Sequence, residues 1–158
     1  MVHIQKITPE MKETIQDFMC KNWGSSMMVS RGRVHRLEKL PSFVALQNDR
    51  IVGIITCEET ESMCEIVSLD SLEEGKGIGT KLVDCVLQIA RENGCKKVWL
   101  ITTNDNMNAL RFYQKRNFMM TNLYINAVKE ARKIKKEIPF IGYDNIAISH
   151  EIQLEYIL

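Results

Sequence analysis

Three glycines fall within five positions in Glu74-Gly75-Lys76-Gly77-Ile78-Gly79, between an apolar run (Cys64 to Leu69) and an amphipathic stretch (Thr80 to Asn93). Glycine gives up more backbone entropy on folding than any other residue. A cluster of them where a strand hands over to a helix therefore implies that the backbone itself is in use. With no Cβ in the way, successive N–H groups can converge on one point at the positive end of the next helix dipole, an arrangement that holds phosphate. The spacing fits two familiar cradles badly. A mononucleotide loop needs Gly-Lys-Ser/Thr, whereas Gly79 is followed by Thr80-Lys81. A dinucleotide loop needs a third glycine where Thr80 stands and sits at the first strand rather than mid-chain. The reading that remains is a pyrophosphate cradle for a carrier such as coenzyme A.

A second segment fixes the choice. Asn106-Met107-Asn108-Ala109-Leu110-Arg111-Phe112-Tyr113-Gln114-Lys115-Arg116-Asn117-Phe118 resembles the pattern Asn-x-x-Ala-x-x-x-Tyr-x-x-x-Gly-Phe of the GCN5-related N-acetyltransferases. The first segment resembles that family's Gln/Arg-x-x-Gly-x-Gly/Ala motif. Asn117 replaces the usual glycine at a helix C′ position, where asparagine is the next best residue in left-handed backbone. Lys97 to Thr102 lies between the two motifs and reads as a buried strand. The resemblance is close over residues 42 to 124. Within the family, the chain looks like a member of a bacterial, largely uncharacterised subset that shares Val67-Ser68-Leu69-Asp70-Ser71-Leu72, Trp99-Leu100-Ile101-Thr102-Thr103-Asn104 and a closing segment from Ile138-Pro139 to Leu158.

That resemblance implies one α/β domain over residues 1–158, with a mixed, mostly antiparallel sheet of about six or seven strands, splayed at its centre and flanked by about four helices. It implies an acetyl-CoA-dependent N-acetyltransferase that acts on a primary amine of a small molecule by direct attack on the thioester. Two alternatives stay open: a non-catalytic acyl-CoA sensor, and a protein or peptide N-acetyltransferase. The cofactor residues carried over are Val67, Ser68 and Leu69 beside the pantetheine arm, Glu74, Gly75, Lys76, Gly77, Ile78, Gly79 and Thr80 at the pyrophosphate, and Asn106, Ala109 and Tyr113. The general base is Glu65 or Asp70, and Tyr113 is the acid for the leaving thiolate. In a regular strand residues 65 and 70 face opposite sides, so both could serve one site only across a bulge. Glu74 departs from the family pattern by placing an acid beside a pyrophosphate. Its side chain must point outward, or Lys76 and Lys81 must offset it. The acceptor pocket falls to the segment after the first helix, with Trp23, Ser30, Arg31 and Arg33. Two arginines there suggest an amine that also carries an acidic group.

Composition narrows the partners. At 158 residues, 45% apolar and 26% charged, the chain has room for one core of ordinary make-up. A net charge of +1 gives no reason to expect nucleic acid or a membrane surface. No apolar run is long enough to span a bilayer and no leader precedes the first strand, so a cytoplasmic protein is expected. The five cysteines (Cys20, Cys57, Cys64, Cys85, Cys95) show no Cys-x-x-Cys spacing and read as small core residues in a reducing compartment. No metal site is expected, since His3, His35 and His150 lie far apart in sequence. A homodimer is left open.

Along the chain, Thr8-Pro9-Glu10 starts a helix that runs to about Asn22. Met27 to Leu40 shows no clear period. Ser42 to Leu46 and Arg50 to Cys57 form a hairpin, and Glu58 to Ser62 reads as an acidic turn before the strand Met63 to Leu69. A helix from Ala127 to Lys136 and a last strand from Glu151 to Leu158 complete the pattern.

Overall fold

The computed structural model describes residues 1–158 except Gly24 and Ser26, and describes Trp23 by its backbone alone. In chain order the strands and helices are β1 (His3–Lys6), α1 (Lys12–Trp23), β2 (Met27–Ser30), β3 (Arg33–Arg36), β4 (Ser42–Gln47), β5 (Arg50–Thr60) and β6 (Met63–Ser71). There follow α2 (Ile78–Glu92), β7 (Lys97–Thr103), α3 (Met107–Gln114), β8 (Met119–Tyr124), α4 (Ala127–Ile134) and β9 (Glu151–Ile157). This is a mixed α/β fold whose main sheet has seven strands, mostly antiparallel, with four α-helices, as the family resemblance implied. The chain divides into two compact units, one of Met1–Met27, Arg36–Val98 and Leu158, the other of Met28–His35 and Trp99–Ile157.

In the first unit the strands run β1-β4-β5-β6, each antiparallel to its neighbour. Side chains alternate across each strand, so the sheet has two distinct faces. One face presents Val44 and Ile54, and these pack with Ile15 and Met19 of α1, with Leu37 and with Val67. Burying residues of this size stabilises the unit by about 1.5–3 kcal/mol per side chain. The opposite face takes α2. Its apolar stripe, Ile78, Leu82 and Val86, is almost fully buried, and Gly53 of β5 is what admits it. A Cβ at Gly53 would stand 2.8 Å from the Ile78 Cγ2 and 3.1 Å from the Leu82 Cδ1. The start of α2, and with it the glycine loop, is seated on the sheet at the one β5 position without a side chain.

In the second unit the order is β7-β9-β8. Its core includes an aromatic row, with the Tyr113 and Phe118 ring centroids 5.2 Å apart and Phe118 and Tyr156 5.4 Å apart. The closing segment is tied down by two neighbouring side chains. Asn104 Oδ1 accepts the Ser149 and His150 N–H groups, both at 2.9 Å, while its Nδ2 donates to the Ala147 carbonyl. Asp105, 2% exposed, accepts from Thr103 Oγ1 at 2.6 Å and from the Tyr143 N–H at 3.2 Å. Two segments singled out in the sequence, the Thr102-Thr103-Asn104 run and the closing segment, are thus parts of one clamp.

Two expectations need correction. Glu58 to Thr60 is strand rather than turn: β5 runs on to Thr60, and Glu61, at φ 56°, makes the bend. Alternation favours this extension, because the longer β5 keeps pairing with β6 out to Met63. The aperiodic segment after α1 contains a second hairpin, β2 with β3, closed on Arg31 (φ 52°) and Gly32 (φ 71°). Left-handed backbone at both central residues is the geometry that matches a two-residue hairpin to strand twist.

Candidate active site

The glycine loop ends on Gly77, the N-cap of α2, at φ 72° and ψ 11°. No side chain caps this helix start, and its first turn holds no acid. Apart from chain neighbours, no atom of the described residues lies within 4 Å of where a Cβ on Gly75 or Gly77 would be. The loop therefore offers backbone N–H groups and the helix's positive end into open space, which fits a phosphate-bearing ligand. Gly79 and Thr80 lie in the first turn of α2, and Ile78 anchors it at 1% exposure. Glu74 is exposed. Lys76 is engaged with Glu73, at 2.8 Å, rather than with Glu74.

β6 carries the bulge that the two-carboxylate reading required. Its register with β5 matches Glu65 to Glu58 and Ile66 to Cys57, then passes over Val67 to match Ser68 to Thr56 and Asp70 to Ile54. Directly paired residues point to the same side of a sheet. Glu58, Thr56 and Ile54 share a face of β5, so Glu65, Ser68 and Asp70 share that face on β6, the one that also carries Val44. One extra residue at Val67 thus brings together two carboxylates that strict alternation would separate. Glu65 is 3% exposed. Its carboxylate lies within 4.8 Å of the Glu58 carboxylate, a neighbour that the sequence reading had placed in a turn. The Ser68 Oγ is buried on the same face with no hydrogen-bond partner among the described residues. A buried hydroxyl without a partner carries a desolvation cost that a polar ligand group would relieve.

The second unit holds the other expected residues. Asn106 caps α3, its Oδ1 accepting the Ala109 N–H at 3.2 Å. Two positions of that motif, Asn106 and Ala109, are therefore joined to each other. Asn117 takes φ 67°, as its C′ position demanded. Tyr113 is 6% exposed, and its ring meets Phe112 and Phe118 edge-on. Burial pushes its pKa well above the usual phenol value, opposed by the nearby Arg116 charge. Tyr113 therefore keeps its proton at any working pH.

Arg31 holds its left-handed turn with help from three contacts or neighbours of the same unit. Its N–H donates to the Glu151 carboxylate at 3.1 Å to one oxygen and 3.3 Å to the other. Its guanidinium lies 3.4 Å from the centroid of the Tyr124 ring, a cation–π contact. Tyr124 in turn is the register partner of Glu151 and donates its hydroxyl to Gln153 at 2.6 Å. Desolvation pushes the Glu151 pKa up, while the Arg31 N–H and charge pull against it. Arg31, Tyr124, Asn126 and the start of α4 line a cavity of about 670 Å³, a size typical of small-molecule sites. Ser30 does not join Arg31 there, since its Oγ is bonded to His35 Nε2 at 3.2 Å. Arg33 lies exposed on β3. The Trp23 side chain lies outside the described residues.

Residues 8–118 match the model of the acetyltransferase (GNAT) family. A Bacillus subtilis protein known as uncharacterized protein YxbD is 44% identical over 144 residues, covering 90% of this chain and 91% of its own. The N-alpha-acetyltransferase 30 of Schizosaccharomyces pombe is 32% identical over 120 residues, covering 69% of this chain and 79% of that protein. Among solved structures, a GNAT family acetyltransferase from Elizabethkingia anophelis with acetyl-CoA bound superposes with a TM-score of 0.71 at 21% identity, over 99% of this chain and 98% of that one. With two motifs in place, a seven-stranded sheet and a matching family model, the chain belongs to the GNAT family of acetyltransferases.

Proposed function

We propose that this chain is an acetyl-CoA-dependent N-acetyltransferase that acetylates the primary amine of a small, acid-bearing molecule. The observation that carries the catalytic part is the Val67 bulge, which sets the buried Glu65 and the half-buried Asp70 on one face, with the Ser68 hydroxyl, which has no partner among the described residues, between them. Acetyl-CoA, when bound, supplies an activated thioester. Its pyrophosphate falls to the N–H groups of Gly75 to Thr80, and its pantetheine arm to the Val67–Leu69 stretch and the Asn106 amide. An alkylamine is mostly protonated near neutral pH, and stripping its proton there costs about 4–5 kcal/mol. Glu65 is the base this reading assigns, receiving that proton at a carboxylate oxygen. Tyr113 offers its hydroxyl to the departing sulfur. Because burial keeps the phenol protonated, its contribution is a hydrogen bond to developing charge, worth about 1.5–3 kcal/mol. The Arg31 guanidinium, a planar donor fork at the 670 Å³ cavity, suits the carboxylate or phosphate of an acceptor.

The test is thiol release across a panel of acidic and neutral amines, with pH profiles. Glu65→Gln should lower turnover about 100-fold near neutrality and recover at alkaline pH, where free amine is abundant. Tyr113→Phe should lower turnover about 10- to 100-fold and leave acetyl-CoA affinity unchanged. If Asp70→Asn gives the pH signature and Glu65→Gln does not, Asp70 is the base. Absence of thiol release with every amine would overturn the catalytic reading. The similarity to N-alpha-acetyltransferase 30 supports a second reading, a peptide α-amine acceptor. Peptides acetylated in preference to every acidic small amine would select it.

A further inference from the structure

Phe140 is 74% exposed and nevertheless braced. The Arg132 guanidinium lies 4.3 Å from the centroid of its ring, a cation–π contact that covers one face. That guanidinium is itself fixed by three carbonyls. Its Nε donates to Ile138 at 3.3 Å, and one terminal nitrogen donates to Pro139 at 2.8 Å and to Ile148 at 2.7 Å. The backbone of Phe140 is tied as well, its carbonyl accepting the Ile148 N–H at 2.9 Å. Ordering an exposed side chain costs rotamer entropy and buries little apolar surface in return. The result is a fixed aromatic ring with a cation on one face and most of its surface in water.

The ring belongs to a short hairpin that leans on the start of α3. Ile141 bridges to Ala147, and the Gly142 N–H donates to the Ile146 carbonyl at 2.8 Å. A Cβ at Gly142 would collide with the Asp105 carboxylate, so the hairpin rests directly on Asp105. The same carboxylate accepts the Tyr143 N–H. Asp105 immediately precedes Asn106, the cap of α3, to which the proposed function gives the pantetheine arm. With Ile141 51% and Tyr143 62% exposed, the hairpin sets two aromatic rings and an isoleucine in water next to that cap. Exposed apolar groups gathered on one hairpin mark a binding surface.

We propose that Phe140 is the stacking platform for the adenine ring of acetyl-CoA. This rests on the acetyl-CoA reading of the site and extends it to the end of the cofactor that neither the glycine loop nor Asn106 engages. Adenine is the one flat aromatic group the cofactor carries. Stacking it needs an open aromatic face held in place, and no particular hydrogen bond. Arg132 does the holding from behind the ring, and a platform fixed in advance loses less side-chain freedom when the ligand arrives. The contact with Asp105 makes the hairpin continuous with the residue given to the pantetheine arm. That continuity favours the cofactor's own ring over an unrelated aromatic ligand. Stacking of this kind contributes roughly tenfold in affinity.

The test is isothermal titration of the full chain with CoA, dephospho-CoA and 4′-phosphopantetheine. The first two carry the adenine ring and the third lacks it. Phe140→Ala should weaken CoA and dephospho-CoA alike, roughly tenfold, and leave 4′-phosphopantetheine unchanged. Unchanged binding of the short ligand also checks that the variant is folded around Asn106. Phe140→Trp, which keeps a ring at the position, should restore CoA binding. Equal CoA affinity in Phe140→Ala and the unaltered protein overturns the proposal. An equal loss for 4′-phosphopantetheine does so too, since it would make Phe140 a support for the α3 cap. A loss for CoA alone would trace to the 3′-phosphate and overturn the stacking as well. Failure of the unaltered protein to bind CoA overturns the acetyl-CoA reading itself, and this proposal with it.

Discussion

The Glu74–Gly79 loop and the Arg31–Gly32 turn both take the backbone into the left-handed region, at φ 72° for Gly77 and 52° for Arg31. The loop does so with glycine, at no steric cost, and leaves its surroundings open. The turn does so with arginine, for which that region costs roughly 1–2 kcal/mol. Contacts from distant residues offset that cost: the Glu151 carboxylate on the Arg31 N–H and the Tyr124 ring beneath the guanidinium. The first device presents bare backbone and needs no side chain. The second uses strain to aim one side chain. A backbone device is generic, suited to a carrier common to a whole family, whereas an aimed guanidinium suits whatever distinguishes one member's acceptor from another's.

On that division, Gly77→Glu has the largest effect. Acetyl-CoA at about 100 times its dissociation constant should add roughly 2.7 kcal/mol of stability to the unaltered protein and nothing measurable to the variant, read as the ligand-induced change in Tm. ATP that stabilises the unaltered protein equally would break the assignment of the loop to coenzyme A. Next in size is Arg31→Ala, which should raise the Michaelis constant for an active acidic amine about tenfold, or ~1.4 kcal/mol, with turnover and acetyl-CoA affinity unchanged. Arg31→Gly sharpens the comparison, since it removes the strain along with the side chain. Its Michaelis constant should rise as in Arg31→Ala while its Tm exceeds that of Arg31→Ala. If the acceptor constant is unmoved in both, and in Arg33→Ala, the turn has no part in recognition.

The smallest effect concerns Glu151. Its folded pKa is raised, so the unfolded chain gives up this proton first as pH climbs. The stability it contributes is full below the ordinary carboxylate range and is lost as pH rises through the raised value. Glu151→Gln should flatten the fall of Tm over that window while keeping an acceptor for the Arg31 N–H. A Tm profile identical in slope for both proteins would show that Glu151 ionises as it would in water.

These two regions also differ in how far they could be read from the sequence. The glycine loop and the Asn106–Phe118 helix were legible because local rules govern them: glycine where backbone is needed, asparagine at a cap and at a C′ position. A bulge was only the condition under which Glu65 and Asp70 could serve one site, and it takes the register to place one at Val67. The β2–β3 hairpin was not legible, because Arg31 is a poor residue for its turn and its partners Tyr124 and Glu151 lie about a hundred residues away. Glu58 was hidden for a related reason. Three acids in a row of five, Glu58, Glu59 and Glu61, look like a turn, and only pairing with β6 reveals a strand. Local chemistry can be read from a string of residues; chemistry held in place by remote contacts cannot.

Gly53 has no side chain, touches no expected ligand and lies in the middle of a strand, yet it decides how near α2 comes to β5. The glycine loop rides on that helix, so the height of the loop above the sheet is set by the width of a hydrogen atom at position 53. An alanine there need not unfold the protein: it would lift the helix start by a fraction of an ångström at Ile78 and Leu82. A genetic screen would then score as a binding lesion what is, in origin, a change of spacing, and the residue responsible would carry no chemistry of its own.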